Sequence, residues 1–245
     1  MDKSVTYEID GSVAVITIDR PERRNAIDRA TAIALGKAWD RFETDDSALV
    51  GVLTGAGGHF SAGADLKAFD LIDEPAGFLG FTRKETSKPT IAAIEGYCVA
   101  GGLEMALWSD LRVASRSAVF GCLERRFGVP LVDGGTQRLP RVVGLGRALD
   151  MILTGREVDA TEAFAIGLVN RVVPDGEALT AAMDLATEIA RHPQTTLRSD
   201  RRAVLDGAAI DLERELFLGL DALAGGGAEG IRRFQEGEGR QGHPL

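Results

Sequence analysis

The amino-acid sequence predicts an α/β fold. Short apolar, β-branched runs alternate with helix-length amphipathic stretches, and two glycine-rich segments stand directly after such runs, where α/β folds open their backbone to ligands. At 245 residues, 44% hydrophobic and 27% charged, the chain can bury one sizeable core and lacks the composition of a disordered or fibrous protein.

The elements follow in order. Val13–Ile18 is a β-branched run stopped by Asp19-Arg-Pro21 and reads as a strand. A helix is predicted from about Asp28, whose side chain suits an N-cap, with Ile33, Leu35, Ala38, Trp39 and Phe42 mostly on one face. Residues 49–53 and 91–94 are continuous apolar runs of strand length, the pattern of strands covered on both faces. The segment 69–87, with Pro75, Gly77 and Gly80, is expected to form a loop and a short helix shaping a ligand pocket. After Gly101 a helical stretch precedes strands at 111–114 and 119–120. Asp159-Ala-Thr-Glu162 has the form of a capping box opening a short helix that Gly167 closes, and 168–173 reads as a strand stopped by Pro174. From about Ala178 the pattern is almost wholly helical, with amphipathic stretches at Ala178–Ala190 and 212–223 ahead of a Gly-rich, charged tail at 237–245. The expected organisation is a β/α core over 1–190 and a helical C-terminal subdomain with tail over 191–245, without linker or repeat.

Composition narrows the function. The formal charge is −9, and no basic block stands out, which argues against nucleic acid as a partner. No window approaches the roughly 18 apolar residues of a membrane span, and the first ten residues lack the apolar stretch of a signal peptide. Cys98 and Cys122 sit in apolar surroundings and read as buried thiols of a cytoplasmic protein. His59, His192 and His243 never pair with other ligands at metal-binding spacing, so no metal is expected.

The chemistry is sought in the two glycine-rich segments. Gly55-Ala-Gly-Gly-His-Phe-Ser-Ala-Gly-Ala-Asp-Leu-Lys67 matches neither a dinucleotide fingerprint nor a P-loop, and His59 stands where a nucleophile elbow around Ser61 would need glycine. Its small residues let a ligand approach main-chain N–H groups, and Gly96-Tyr-Cys-Val-Ala-Gly-Gly-Leu-Glu104 offers the same at the start of a helix. Two backbone donors from two loops are the usual build of an oxyanion hole, although either segment alone reads equally well as tight turns.

Taken together, Phe60-Ser-Ala-Gly-Ala-Asp-Leu-Lys67, Lys88-Pro-Thr-Ile-Ala-Ala-Ile-Glu-Gly-Tyr-Cys-Val-Ala-Gly-Gly-Leu-Glu104, Phe120-Gly-Cys-Leu-Glu124 and Gly134-Gly-Thr-Gln-Arg-Leu139 closely resemble, in order and spacing, the crotonase (enoyl-CoA hydratase/isomerase) superfamily. The resemblance runs from the first strand to about Phe234. It implies a crotonase-type core of repeated β-β-α units, a homotrimer or dimer of trimers, and an acyl-CoA thioester ligand. No cofactor is implied, because coenzyme A enters with the substrate. The resemblance places the backbone N–H groups of Ala64 and Gly101 in the oxyanion hole and makes Glu104 and Glu124 the two catalytic glutamates. It assigns Arg24, Ala26, Ala62, Gly63, Asp65, Leu66, Lys67 and Phe234 to the coenzyme A ester. Hydrating a 2-enoyl thioester builds charge on the carbonyl oxygen, takes a proton from water and delivers one to the α-carbon; two donors and two carboxyl groups cover those needs.

Three features depart from the family's pattern. Asp133 adds a carboxylate where many hydratases carry a small residue; it reads as an accessory acid of isomerase type or as a turn-forming Asp before Gly134. Arg125 and Arg126 follow Glu124 and either lower its pKa or face solvent or a neighbouring subunit. The family's C-terminal lysine is replaced by Gly237, which weakens one contact to coenzyme A that Lys67, Arg23 or Arg24 would have to supply. The expected activity is hydration of trans-2-enoyl-CoA. The alternatives are isomerisation or thioester hydrolysis on the same scaffold, or an acyl-CoA-binding protein without catalysis.

Overall fold

The computed structural model describes residues 4–206, 220, 232 and 235–237. The chain opens with a hairpin of β1 (Val5–Asp10) and β2 (Val13–Ile18), whose two-residue turn places Gly11 at φ 58°, in the left-handed region this turn needs. Helix α1 (Arg29–Thr44) follows, and Asp28 caps it, accepting both the Thr31 N–H at 2.9 Å and the Thr31 hydroxyl at 2.7 Å. Strands β3 (Val50–Gly55), β4 (Thr90–Ile94), β6 (Leu111–Ser115) and β9 (Arg171–Val173) complete a six-stranded sheet ordered β1-β2-β3-β4-β6-β9, parallel beyond the hairpin.

A second, three-stranded sheet holds β5 (Tyr97–Val99), β7 (Val119–Gly121) and β8 (Val158–Asp159), in the order β5-β7-β8. Consecutive strands are thus dealt one to each sheet: β4 and β5 lead into α2 (Gly101–Trp108), and β6 and β7 into a 3-10 turn at Leu123–Phe127. Ser61 adds an isolated bridge to Cys98, so the segment after β3 repeats the step. This is the β-β-α repetition implied by the crotonase resemblance.

Helices α3 (Gly135–Val143), α4 (Leu145–Thr154) and α5 (Ala160–Ala165) follow, then α6 (Ala178–Ala190) and α7 (Gln194–Asp206). The large sheet is covered on both faces. Val13, Val50, Val52, Ile91 and Val113 pack under Ala182, Leu185 and Ala186 of α6, while Ala14, Ile16, Leu53, Ala92 and Ile94 face the main core with Leu35, Trp39 and Phe42 of α1. That coverage is the physical reason for the unbroken apolar runs of β3 and β4.

Some expectations are corrected. Ile33 is 48% exposed and stands off the buried stripe of α1. No helix forms within 69–87: Gly77 and Gly80 adopt positive φ, and the segment is instead pinned by Phe81, whose ring meets Trp39 at 5.4 Å and Trp108 at 4.9 Å. The last strand begins at Arg171, because Leu168 and Val169 are spent on closing α5 with N–H bonds to the Ala163 carbonyl. The Asp159 cap forms, yet Glu162 turns to Arg156 at 2.5 Å, so the reciprocal half of the capping box is missing. The 212–223 stretch and the tail lie outside the described residues, apart from Leu220 and Gly237.

Candidate active site

The left-handed turn at Arg24 and Asn25, φ 50° and 54°, shapes one wall of the site. Asn tolerates that region, and its side chain locks the turn by accepting the Arg20 N–H at 2.9 Å and donating to the carbonyls of Ala56 at 2.8 Å and His59 at 2.6 Å. The chain then runs beside 61–65 as a short ribbon: Ala62 N–H to Arg24 C=O, Ile27 N–H to Gly63 C=O, Asp65 N–H to Ile27 C=O. This pairing uses the carbonyl of Gly63 and the N–H of Asp65, so the N–H of Ala64 is turned to the opposite side.

Ser61 is fully buried, its hydroxyl donating to Asn25 C=O at 2.8 Å and accepting the Gly63 N–H at 3.0 Å. Its one proton is committed to a structural bond, which leaves no role as a nucleophile. Asp65 likewise turns inward, accepting the N–H groups of Lys67 and Ala68 and pairing with Arg20 at 3.1 Å.

The second wall is the start of α2. Ala100 holds φ 54° and ψ −128°, a conformation costing a non-glycine residue roughly 1–3 kcal/mol. The surrounding sheet imposes it: Val99 N–H reaches Ser61 C=O and Ala100 N–H reaches Gly121 C=O at 2.9 Å. The strain sets Gly101 as the first residue of the helix, against Gly63. Among the described residues, no main-chain acceptor takes the N–H of Ala64 or of Gly101.

Glu104 is the one charged residue of α2 and is 3% exposed. A bare carboxylate so buried would be costly; its Oε1 instead accepts the N–H groups of Asp133 and Gly135, each at 2.9 Å. A side chain at 135 would crowd it, since a β-carbon there would lie 2.9 Å from Oε1. Glu124, in the 3-10 turn, is 6% exposed, and neither carboxylate oxygen has a hydrogen-bond partner among the described residues. Burial pushes its pKa up to about 7 against the smaller, opposing pull of its own N–H and of Arg125. Burial, and after it the charges of Glu124 and Glu104, raise the pKa of the buried Cys122 thiol.

The structure thus brings Arg24, Ala26, Ala62, Gly63, Ala64 and Asp65 onto one ribbon, with Leu66 and Lys67 in the turn that follows. Gly101 packs against Gly63, Glu104 lies one turn further along α2, and Glu124 stands in the 3-10 turn after β7, the strand paired with the β5 that leads into α2. Arg24 is exposed and lies over the Tyr97 ring at 4.8 Å. Lys67 is exposed, and Phe234 lies outside the described residues. Asp133 is no mere turn former: it is 2% exposed and its carboxylate accepts the Thr82 hydroxyl. Of the two arginines after Glu124, Arg125 is exposed and Arg126 donates to Gly155 C=O at 3.0 Å. Sequence reasoning missed Thr82 and Arg138; the latter bridges the carbonyls of Asp133 at 2.8 Å and Thr82 at 2.6 Å. A buried Thr and a half-buried Arg bracketing an Asp-Gly-Gly turn carry no local signal.

Comparison with known proteins agrees with this geometry. The profile of the enoyl-CoA hydratase/isomerase family matches residues 8–220. The short-chain-enoyl-CoA hydratase of Clostridium acetobutylicum is 38% identical, over 87% of this chain and 85% of its own. The carnitinyl-CoA dehydratase of Salmonella arizonae is 40% identical over 77% of this chain and 75% of its own. The crystal structure of carnitinyl-CoA hydratase from Mycobacterium avium superposes with a TM-score of 0.89 at 35% identity, covering 96% of this chain and 97% of that one. The chain belongs to the enoyl-CoA hydratase/isomerase family.

Proposed function

We propose that the protein is an enoyl-CoA hydratase, adding water to a trans-2-enoyl-CoA to give the 3-hydroxyacyl-CoA. The observation that carries the reading is the contrast between two buried carboxyl groups. Glu104 is held as an acceptor by two amides, whereas Glu124 has no partner among the described residues and a pKa near 7.

The roles follow from that asymmetry. The N–H groups of Ala64 and Gly101 hold the thioester oxygen, where negative charge grows as water attacks C3. Glu104 orients the water and takes its proton, and Glu124 gives its own proton to C2. The water O–H, the Glu124 O–H and the C2=C3 π bond break, while the C3–O, C2–H and Glu104 O–H bonds form; return of the proton from Glu104 to Glu124 resets the site. The 24–27 and 61–67 ribbon, with Arg24 and Lys67 exposed at its ends, holds the coenzyme A portion. No separate cofactor enters this scheme.

The same reading covers assembly and setting. Leu145, Leu149 and Leu153, spaced along one side of α4, are 66%, 44% and 71% exposed, and Phe164 of α5 is 56% exposed, which supports burial against further copies in a trimer or a dimer of trimers. Two buried free thiols fit a reducing, cytoplasmic setting. No helix among the described residues is long and apolar enough to cross a membrane.

Product analysis with 2-enoyl-, 3-enoyl- and saturated acyl-CoA tests the activity. The 3-hydroxyacyl product from the 2-enoyl ester is expected; double-bond migration alone, free coenzyme A, or tight binding without turnover would each replace the assignment.

A further inference from the structure

The stretch 77–83 touches both halves of the site. Leu79 packs on Gly101, since a β-carbon there would meet Leu79 Cδ1 at 3.1 Å. Three residues later the buried Thr82 hydroxyl donates to the Asp133 carboxylate. Asp133 in turn gives its own N–H to Glu104 Oε1 at 2.9 Å. Arg138 braces the joint by donating to the carbonyls of both Thr82 and Asp133, and Arg83 adds a bond to Val132 C=O at 3.1 Å. Gly77 leaves the space this needs, because a β-carbon on it would collide with Asp133 Oδ1 and Thr82 Oγ1 alike.

We propose that Thr82 is a positioning residue for hydration: by fixing the Asp133 side chain it fixes the peptide whose N–H aims the Glu104 carboxylate at the water. Asp133 acts here through its backbone and as an acceptor, not as a proton carrier. The loop over the oxyanion hole and the base of the reaction are thereby one mechanical unit, joined across 51 residues of sequence. This rests on the assignment of Glu104 as the group that orients the water.

The test uses the full chain, crotonyl-CoA, and the variants T82V, T82S, D133N, D133A and E104Q, with kcat, KM and thermal midpoint measured for each. T82V keeps the shape of Thr82 and loses its donor, so kcat should fall about ten- to a hundredfold while KM stays within about twofold. T82S keeps the donor and should recover most of that loss; D133N, which keeps an acceptor, should exceed D133A. Wild-type kcat in T82V overturns the proposal, as does a T82S variant as slow as T82V, or equal inactivity of D133N and D133A. Should T82V fail to fold, T82A removes the same donor without crowding and carries the same comparison. An inactive E104Q beside an undisturbed T82V defeats the positioning role alone; an active E104Q defeats both assignments.

Discussion

Gly63 meets Gly101 so closely that a β-carbon on Gly63 would lie 2.6 Å from the Gly101 nitrogen. That approach, with φ 83° at Gly63, is what lets the loop carrying Ala64 close against the first turn of α2. The substitution G63A must therefore push the two amide donors apart. We expect kcat for crotonyl-CoA hydration to fall by about a hundredfold or more, the scale of losing one oxyanion donor. A G63A enzyme with the wild-type kcat would contradict the shared oxyanion hole.

Glu124 must carry a proton to act as the acid, and its pKa lies near 7 through burial. The free enzyme's kcat/KM for hydration should accordingly fall as pH rises through about 7. A profile that stays flat from pH 6 to pH 9 would remove Glu124 from proton delivery.

The same buried carboxyl makes stability depend on pH. Between the ordinary glutamate value of 4.5 and about 7, the folded chain keeps a proton that the unfolded chain has released, so stability is lost as pH rises across that window. The full cost, on the order of 3 kcal/mol, is reached above pH 7. E124Q does not titrate, so its thermal midpoint relative to wild type should climb from pH 5 to pH 7 and then level off. Parallel midpoints at every pH would show that Glu124 is not the source.

Much of the fold and part of the site were legible before any coordinates. The Asp28 cap, the doubly covered strands and the Asp159 cap follow from local chemistry, and four motifs in order pointed to the family. Ile33 was misplaced because periodicity defines a stripe without saying where its edge falls. β1 was missed because it alternates Val5 and Tyr7 with polar residues and sits at the sheet edge, where no buried run marks it. The 69–87 segment follows long-range anchors: Phe81 is held by Trp39 and Trp108, and Thr82 by Asp133. The buried cations Lys88 and Arg112 close the C-terminal ends of α1 and α2 through carbonyls of Phe42, Ala106 and Ser109, another task invisible in local sequence.

The central claim is that Glu104 and Glu124 divide the proton work of hydration between them. Replacing each singly by glutamine keeps size, and at 104 the oxygen that accepts the Asp133 and Gly135 N–H groups, while removing the ability to exchange that proton. Steady-state hydration of crotonyl-CoA measures the result directly: kcat should fall by at least about a hundredfold in each variant, with the thioester still bound. Wild-type turnover in either E104Q or E124Q would contradict the account.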